Sequence, residues 1–381
     1  MKKNIIAFIL LFAFVASSYS QNPVLKDVTG WKIDSIAKGL IWYKYTGKYK
    51  SANQAINVLE VDVQRPEYKL EIKFVAPSDS LSHVATTAGA MVGINGTYEL
   101  DASFIRANGV IRSQVSRDVQ KTTHLRHWKH EGAFFYDNQT KAVDIQYGTN
   151  DDYFRSSCPN VISAAPVLIS DYSPVGETFI GDVTGINLNS LEYEDYRRHQ
   201  GVRHPRTAIA CMEDGKILLI TVDGRTAAAE GINAKDLTQF LTYYFNPKHV
   251  LNLDGGGSTC MYIKGKGGYK NNDIVNCPID SDVPYKQRIV SSFILIHKEE
   301  FSSINNPSKD KDVLKISAQE RNIQLKSDEI IEQVKLHTLQ GQELYNIFPR
   351  SNFISFPVPY QGFFIVSAFC GSQWHVSKLA I

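Results

Sequence analysis

The sequence predicts an α+β fold: a mixed or antiparallel sheet domain with few helices, followed by a small all-β, sandwich-like C-terminal domain. Three observations lead there. Apolar residues recur with period two in many short runs bounded by Gly, Pro, Asn and Asp. Only Asn233 to Phe245 carries a clear helical period, with Leu237, Phe240, Leu241 and Tyr244 on one face. A polar stretch, SSINNPSKDKD at 302–312, divides the runs into two groups.

From the N-terminus, Lys2 and Lys3 precede an apolar stretch from Ile5 to Val15, and small residues follow through Ser18 and Ser20. This pattern is expected for a secretory signal peptide over 1–20, cleaved before Gln21, and it is too short for a membrane span. No other stretch is long and apolar enough to cross a membrane. The first domain is expected over 21–300. It opens with a meander: Gly39–Tyr45, Asn57–Val63 and, after the Arg65–Pro66 break, Tyr68–Phe74. A short helix is expected over Val84–Met91. Thr207–Met212 and Ile217–Val222 flank an Asp-Gly turn and read as a hairpin. The Asn233 helix follows, with Asn233 as its N-cap, and then a strand at His249–Leu253. After the linker (301–312), residues 313–381 carry short alternating runs punctuated by Gly341, Pro349, Pro359, Gly362 and Gly371.

Composition excludes several classes. In 381 residues, 43% are hydrophobic and 21% charged, which is globular rather than disordered. Lys plus Arg is 41 against 39 Asp plus Glu. Loss of Lys2 and Lys3 with a leader makes the chain neutral, so nucleic acid or an anionic membrane has no electrostatic basis as a partner. The five cysteines, Cys158, Cys211, Cys260, Cys277 and Cys370, form no CxxC pair. In an exported chain they admit one or two disulfides and leave at least one thiol over.

Four motifs carry chemistry. Asn252-Leu-Asp254-Gly-Gly-Gly-Ser258-Thr259 ends an apolar strand in a carboxylate and a glycine run. The amides of Gly255, Gly256 and Gly257 can converge on an anion, and Asp254 and Ser258 flank them. Arg206, after His204-Pro205 and before Thr207, can hold a phosphate with its fork. Asp223 and Arg225, in Val222-Asp-Gly-Arg225, close the partner strand of the hairpin, so Arg206, Asp223 and Arg225 return to one edge. Asn95-Gly96-Thr97-Tyr98-Glu99 offers an amide for a sugar hydroxyl and a spare carboxylate at Glu99, with Asp101 beyond it. His124, His127 and His130, interleaved with Arg126, Trp128 and Lys129, are expected to form a solvated basic face rather than a metal site.

In this order the motifs resemble the phosphodiester glycosidase family. The match runs through Ala88–Gly96, Pro205–Ile209, Val222–Arg225 and Asn252–Thr259, closing with Val275–Asp280 and Gln287–Ser292. Thr97–Leu100 departs from the family's small residues and aromatic pair, and Ala210 stands where Gly is common. The resemblance implies hydrolysis of a sugar from a sugar-1-phosphodiester, a carbohydrate phosphodiester being the partner. It makes Asp254 the first catalytic candidate, Asp223 the second and Glu99 the third. Asn95, Gly96, Arg206, Thr207, Arg225, Gly255–Gly257 and Ser258 are then candidates for substrate and phosphate, with Asn276 and Arg288 completing the pocket. No cofactor is required, and a divalent cation stays admitted without assigned ligands. Two further readings stay open: a phosphodiesterase that breaks the P–O bond, and a glycan-binding protein on the same scaffold.

The last 65 or so residues resemble the C-terminal sorting domains of exported Bacteroidetes proteins. The features are Val334–Gly341, Gln361–Val366 and Val376–Ile381. They imply engagement with secretion machinery and a periplasmic, cell-surface or secreted location.

Overall fold

The structure is a computed structural model that describes Leu25 and residues 27–299, 314–319, 321–339, 341–371 and 373–381. The expected signal peptide and linker lie outside the described residues. The chain divides into two compact units between Lys298 and Glu299.

The first unit is built on three larger sheets. A seven-stranded sheet has the order Trp31–Ala37, Leu40–Tyr49, Ala52–Val61, Ile217–Val222, Arg206–Cys211, His249–Asn252, Val167–Ile169. A four-stranded sheet runs Met261–Ile263, Val92–Asn95, Val290–Lys298, Tyr68–Asp79, and a five-stranded one runs Val110–Ser113, Ile105–Ala107, Asn160–Ala164, Gly132–Tyr136, Val143–Tyr147. Every ladder in these sheets is antiparallel. Four α-helices are present among the described residues.

The central hairpin explains why its sequence does not alternate. Arg206 pairs with Val222 and Cys211 with Ile217, and all twelve residues are buried. Ala208, Ala210, Leu218 and Ile220 face one layer, with Leu237, Phe240 and Leu241 of the Ala234–Tyr244 helix. Ile209 and Leu219 face the other, with Ile94, Phe134 and Ile294 of the smaller sheets. A strand covered on both faces reads as continuously apolar. The helix starts where Asn233 Oδ1 accepts the Asp236 amide at 2.7 Å, as its cap position predicts. Phe240 sits among Trp31, Tyr45, Tyr49 and Tyr244, with ring centroids 4.6–5.8 Å away. Truncating such a ring to Ala costs about 3–5 kcal/mol. The helix expected over Val84–Met91 is shifted: it spans Leu81–Thr87, and the chain turns at Gly89, φ +68°.

The second unit is all-β. Its centre is one long strand, Asn322–Thr338, which pairs with Leu314–Gln319, Glu343–Ile347, Ser351–Pro357 and Phe363–Cys370. Two of the alternating runs of the sequence, Asn322–Leu325 and Glu332–Thr338, are parts of this one strand. The polar Ser327-Asp-Glu-Ile330 stretch between them is a register shift within one strand, not a turn. Glu343–Ile347 escaped the reading because none of its side chains is fully buried.

Candidate active site

The chemistry-bearing motifs meet where the seven-stranded sheet abuts the four-stranded one. Asn95 is the cross-brace. Its side chain is 1% exposed. Its Oδ1 accepts from Thr207 Oγ1 at 2.8 Å and from the Cys260 amide at 3.1 Å. Its Nδ2 donates to the Asp254 carbonyl at 2.7 Å. The Asp254 amide donates to the Gly96 carbonyl, and the Leu253 amide to that of Thr207. Asp254 is thus fixed by both sheets as it leaves the His249–Asn252 strand. Asn95, Gly96 and Thr207 hold this junction and do not line the cleft.

The cleft has a volume of about 380 Å³. Of the residues predicted from sequence, Asp254, Glu99, Arg206, Gly255, Gly256, Ser258 and Arg288 line it. Burial of the Asp254 carboxyl raises its pKa from 3.8 to about 6; the Ser258 hydroxyl opposes the shift, Glu99 adds to it, and Lys129 and Arg288 oppose it. Glu99, half exposed, accepts both 2.9 Å and 3.1 Å bonds from Lys129 Nζ. Lys129 is 1% exposed and also meets Glu194 Oε2 at 2.6 Å. Burial alone would lower its pKa, but Glu99 and Glu194 hold it above the ordinary lysine range.

Several residues do other work than the sequence suggested. Arg206 is fully buried and does not offer a free fork. Its Nε donates to the Ile232 carbonyl, Nη1 to Gln200 Oε1, and Nη2 to the His199 and Val202 carbonyls, at 2.9–3.0 Å. It is a strut between the Tyr196–Gly201 helix and the hairpin. All these acceptors are neutral, so its charge acts on the cleft through its field. Burial, with that field added to it, pushes His204 down to about 3 and His199 well below the ordinary histidine range, leaving both neutral.

Asp223 is buried away from the cleft. Its carboxylate accepts Asn276 Nδ2 at 2.9 Å and the Cys277 amide at 3.1 Å, and burial raises its pKa. Asn276 also accepts the Met261 amide at 2.8 Å. The pair anchors a loop rather than a ligand. Arg225 donates to the Ile279 carbonyl at 3.0 Å and leans over Gly256. Arg288 reaches the cleft while paired with Asp280 at 2.8 Å.

Of the three candidate glycine amides, that of Gly256 is spent on the backbone, as are the two amides that follow the run. The Gly256, Ser258 and Thr259 amides are taken by the Pro205, Gly255 and Gly256 carbonyls. Gly255 is needed for close approach, since a Cβ there would lie 2.6 Å from the Pro205 carbonyl oxygen. Gly256 takes φ +57°.

The expected basic face is the largest correction. His127–His130 is a buried 3-10 turn, with Trp128, Lys129 and His130 all inside. Trp128 Nε1 donates to the Glu194 carbonyl at 2.9 Å. Sequence reasoning also missed Tyr193 and Glu194, which line the cleft from an irregular segment without periodicity, and His199, which lines it from the short Tyr196–Gly201 helix. The only signal was the density of aromatic and charged residues in Leu191–Gln200. Among the described residues, no group of three or more His, Cys, Asp or Glu side chains is arranged to hold a metal. All five cysteines are free thiols.

The family model for phosphodiester glycosidases matches residues 83–297, more than half of the chain. The chain belongs to the phosphodiester glycosidase family. The match takes in the Asn95 brace, the Asp254 loop and the Arg288 wall. The SPbeta prophage-derived uncharacterized protein YomE of Bacillus subtilis (strain 168) is 42% identical over 74 residues, which is 19% of this chain and 11% of that protein. Among solved structures, the zebrafish N-acetylglucosamine-1-phosphodiester alpha-N-acetylglucosaminidase catalytic domain, auto-inhibited by its pro-peptide, is similar over 74% of this chain and 87% of that one, at 19% identity and TM-score 0.48. A hypothetical protein from Synechocystis is similar over 71% of this chain and 64% of that one, at 15% identity and TM-score 0.47.

Proposed function

We propose that this phosphodiester glycosidase hydrolyses the bond between an anomeric carbon and phosphate in a sugar-1-phosphodiester of a glycan or glycolipid, with an N-acetylglucosamine-type sugar as the leading candidate. The observation that carries this reading is Asp254: a carboxyl raised to about 6, fixed at a sheet junction and facing a second carboxylate held by a buried lysine. A phosphate monoester is a good leaving group, so catalysis depends less on protonating it than on attack at the anomeric carbon. A carboxylate near pKa 6 is mostly ionised at neutral pH, yet more basic than an ordinary Asp. Asp254 therefore acts on the anomeric side, as nucleophile or as base for water. Lys129 keeps Glu99 oriented. Arg288, the Ser258 hydroxyl and the field of Arg206 favour the phosphate.

The test is release of free sugar from a panel of sugar-1-phosphodiesters by the full chain and by Asp254→Asn. Turnover that the variant loses supports the assignment. Turnover that the variant keeps removes Asp254 from the chemistry, and absence of turnover on every member, with ligand binding retained, favours a glycan-binding protein. Export and a sorting role for the C-terminal unit are part of the same proposal, resting on the Lys2–Lys3 leader pattern and the terminal strand motifs.

A further inference from the structure

The cleft has a wall that the Asp254 chemistry does not use. Tyr193 lines it and is 47% exposed. Exposed rings occur elsewhere on this surface; Tyr193 differs in lining the cleft with a ring that is held in place. Its position is not loose. Its ring packs edge-on against His199 with centroids 5.5 Å apart and against His204 at 6.4 Å. The Arg198 guanidinium lies 5.7 Å from its centroid, and Arg198 Nη1 is tied to the Leu191 carbonyl. The next residue, Glu194, is anchored twice, by Trp128 Nε1 to its carbonyl and by Lys129 to its carboxylate. The ring is thus preorganised by a segment with little regular structure.

We propose that Tyr193 is the platform for the glycosyl ring and that Glu194 receives its hydroxyls, so that this wall selects an uncharged pyranose; the inference rests on the sugar-phosphodiester reading of the same cleft. A pyranose presents a face of C–H groups and an edge of hydroxyls. An exposed aromatic ring beside fixed carboxylates matches both. The two flanking histidines are neutral, so they add aromatic surface and no charge. The lining as a whole is balanced, with Glu99, Glu194 and Asp254 against Lys129, Arg206 and Arg288, but at the Glu194 edge a single Lys129 is shared by two carboxylates, Glu99 and Glu194. A sugar acid whose carboxylate falls at that edge meets the uncompensated negative charge there and is disfavoured.

The test is equilibrium binding of methyl glycosides of glucose, galactose, mannose and N-acetylglucosamine, and of methyl glucuronide, to the full chain. It uses the native protein, Tyr193→Phe, Tyr193→Leu and Tyr193→Ala, with thermal unfolding as the folding check. At least one neutral glycoside is expected to bind, with Phe within about threefold of native and Leu and Ala weaker by about tenfold or more. Methyl glucuronide is expected to bind at least about tenfold more weakly than the best neutral glycoside. Should the Ala variant not fold, the Leu variant decides. Native-like affinity in Tyr193→Leu, tighter binding of the glucuronide, or no binding of any neutral glycoside overturns the platform. The outcome is separable from the hydrolase reading. Turnover of a phosphodiester with unchanged KM in Tyr193→Leu sinks the platform alone, whereas Tyr193-dependent sugar binding without turnover sinks the hydrolase alone.

Discussion

Asp254→Asn is expected to make the protein more stable while it abolishes turnover. The carboxyl has a pKa of 3.8 in the unfolded chain and about 6 in the fold, because burial disfavours its charge. The folded state therefore holds the proton more tightly than the unfolded state. Stability is greatest when Asp254 is protonated in both states and falls as pH rises from about 4 through about 6. Moving a carboxyl over that interval corresponds to about 3 kcal/mol, and the partial opening of Asp254 to the cleft reduces this to about 2 kcal/mol. Asn keeps the shape but carries no charge. For a unit of this size, about 2 kcal/mol is a rise of about 4–8 °C in Tm. The assay is thermal unfolding of native protein and variant at about pH 8 and about pH 4, where linkage is respectively complete and nearly absent. The gain should be present at the higher pH and vanish at the lower. A variant that is equal or less stable at the higher pH, or that gains equally at both, refutes the view of Asp254 as a carboxylate ionised against its surroundings.

Other predictions follow from the same geometry. The acid limb of the pH–rate profile should lie near 6; Glu99→Gln should move it down by removing a repelling charge, and Lys129→Met should move it up, both read from kcat/KM against pH. Arg206→Lys loses most of four hydrogen bonds to buried acceptors and should destabilise by about 3 kcal/mol or more in denaturant unfolding, whereas a mere phosphate clamp would leave stability unchanged and raise KM. Asn95→Ala should cost about 2–4 kcal/mol and most of the turnover, since it frees the Asp254 carbonyl, the Thr207 hydroxyl and the Cys260 amide together. Gly255→Ala meets a backbone carbonyl at 2.6 Å and should disrupt the loop; Gly257→Ala meets the Arg288 Nη2 end at 2.6 Å and should instead displace Arg288, raising KM with little loss of Tm.

Much of this architecture was legible because local and tertiary signals agree. The Asp-Gly turn, the Asn233 cap and the period of Leu237, Phe240 and Leu241 each specify one local structure, and burial on both faces of the hairpin is written in its unbroken apolar run. The Asp254 loop was visible for the same reason, since a strand, a carboxylate and three glycines leave few alternatives. What sequence cannot assign is how a donor set is spent. Arg206 and Asp223 sit at the expected edge of the hairpin, but a buried polar group must be satisfied by whatever lies nearest. For Arg206 that is a set of backbone carbonyls and the Gln200 side chain, and for Asp223 the Asn276–Cys277 loop. Lys129 was misread because its basic neighbours suggest solvent, while its two carboxylate partners are Glu99 and Glu194, far away in the chain. Long-range ion pairs leave no periodic trace.

The central claim is that the bond broken lies between the anomeric carbon and oxygen. The most direct measurement is hydrolysis of a sugar-1-phosphodiester in heavy-oxygen water, followed by mass analysis of the phosphate product. Glycosidic cleavage gives free sugar and an unlabelled phosphomonoester. Heavy oxygen in the phosphate shows attack at phosphorus and contradicts the assignment of Asp254 to the anomeric side.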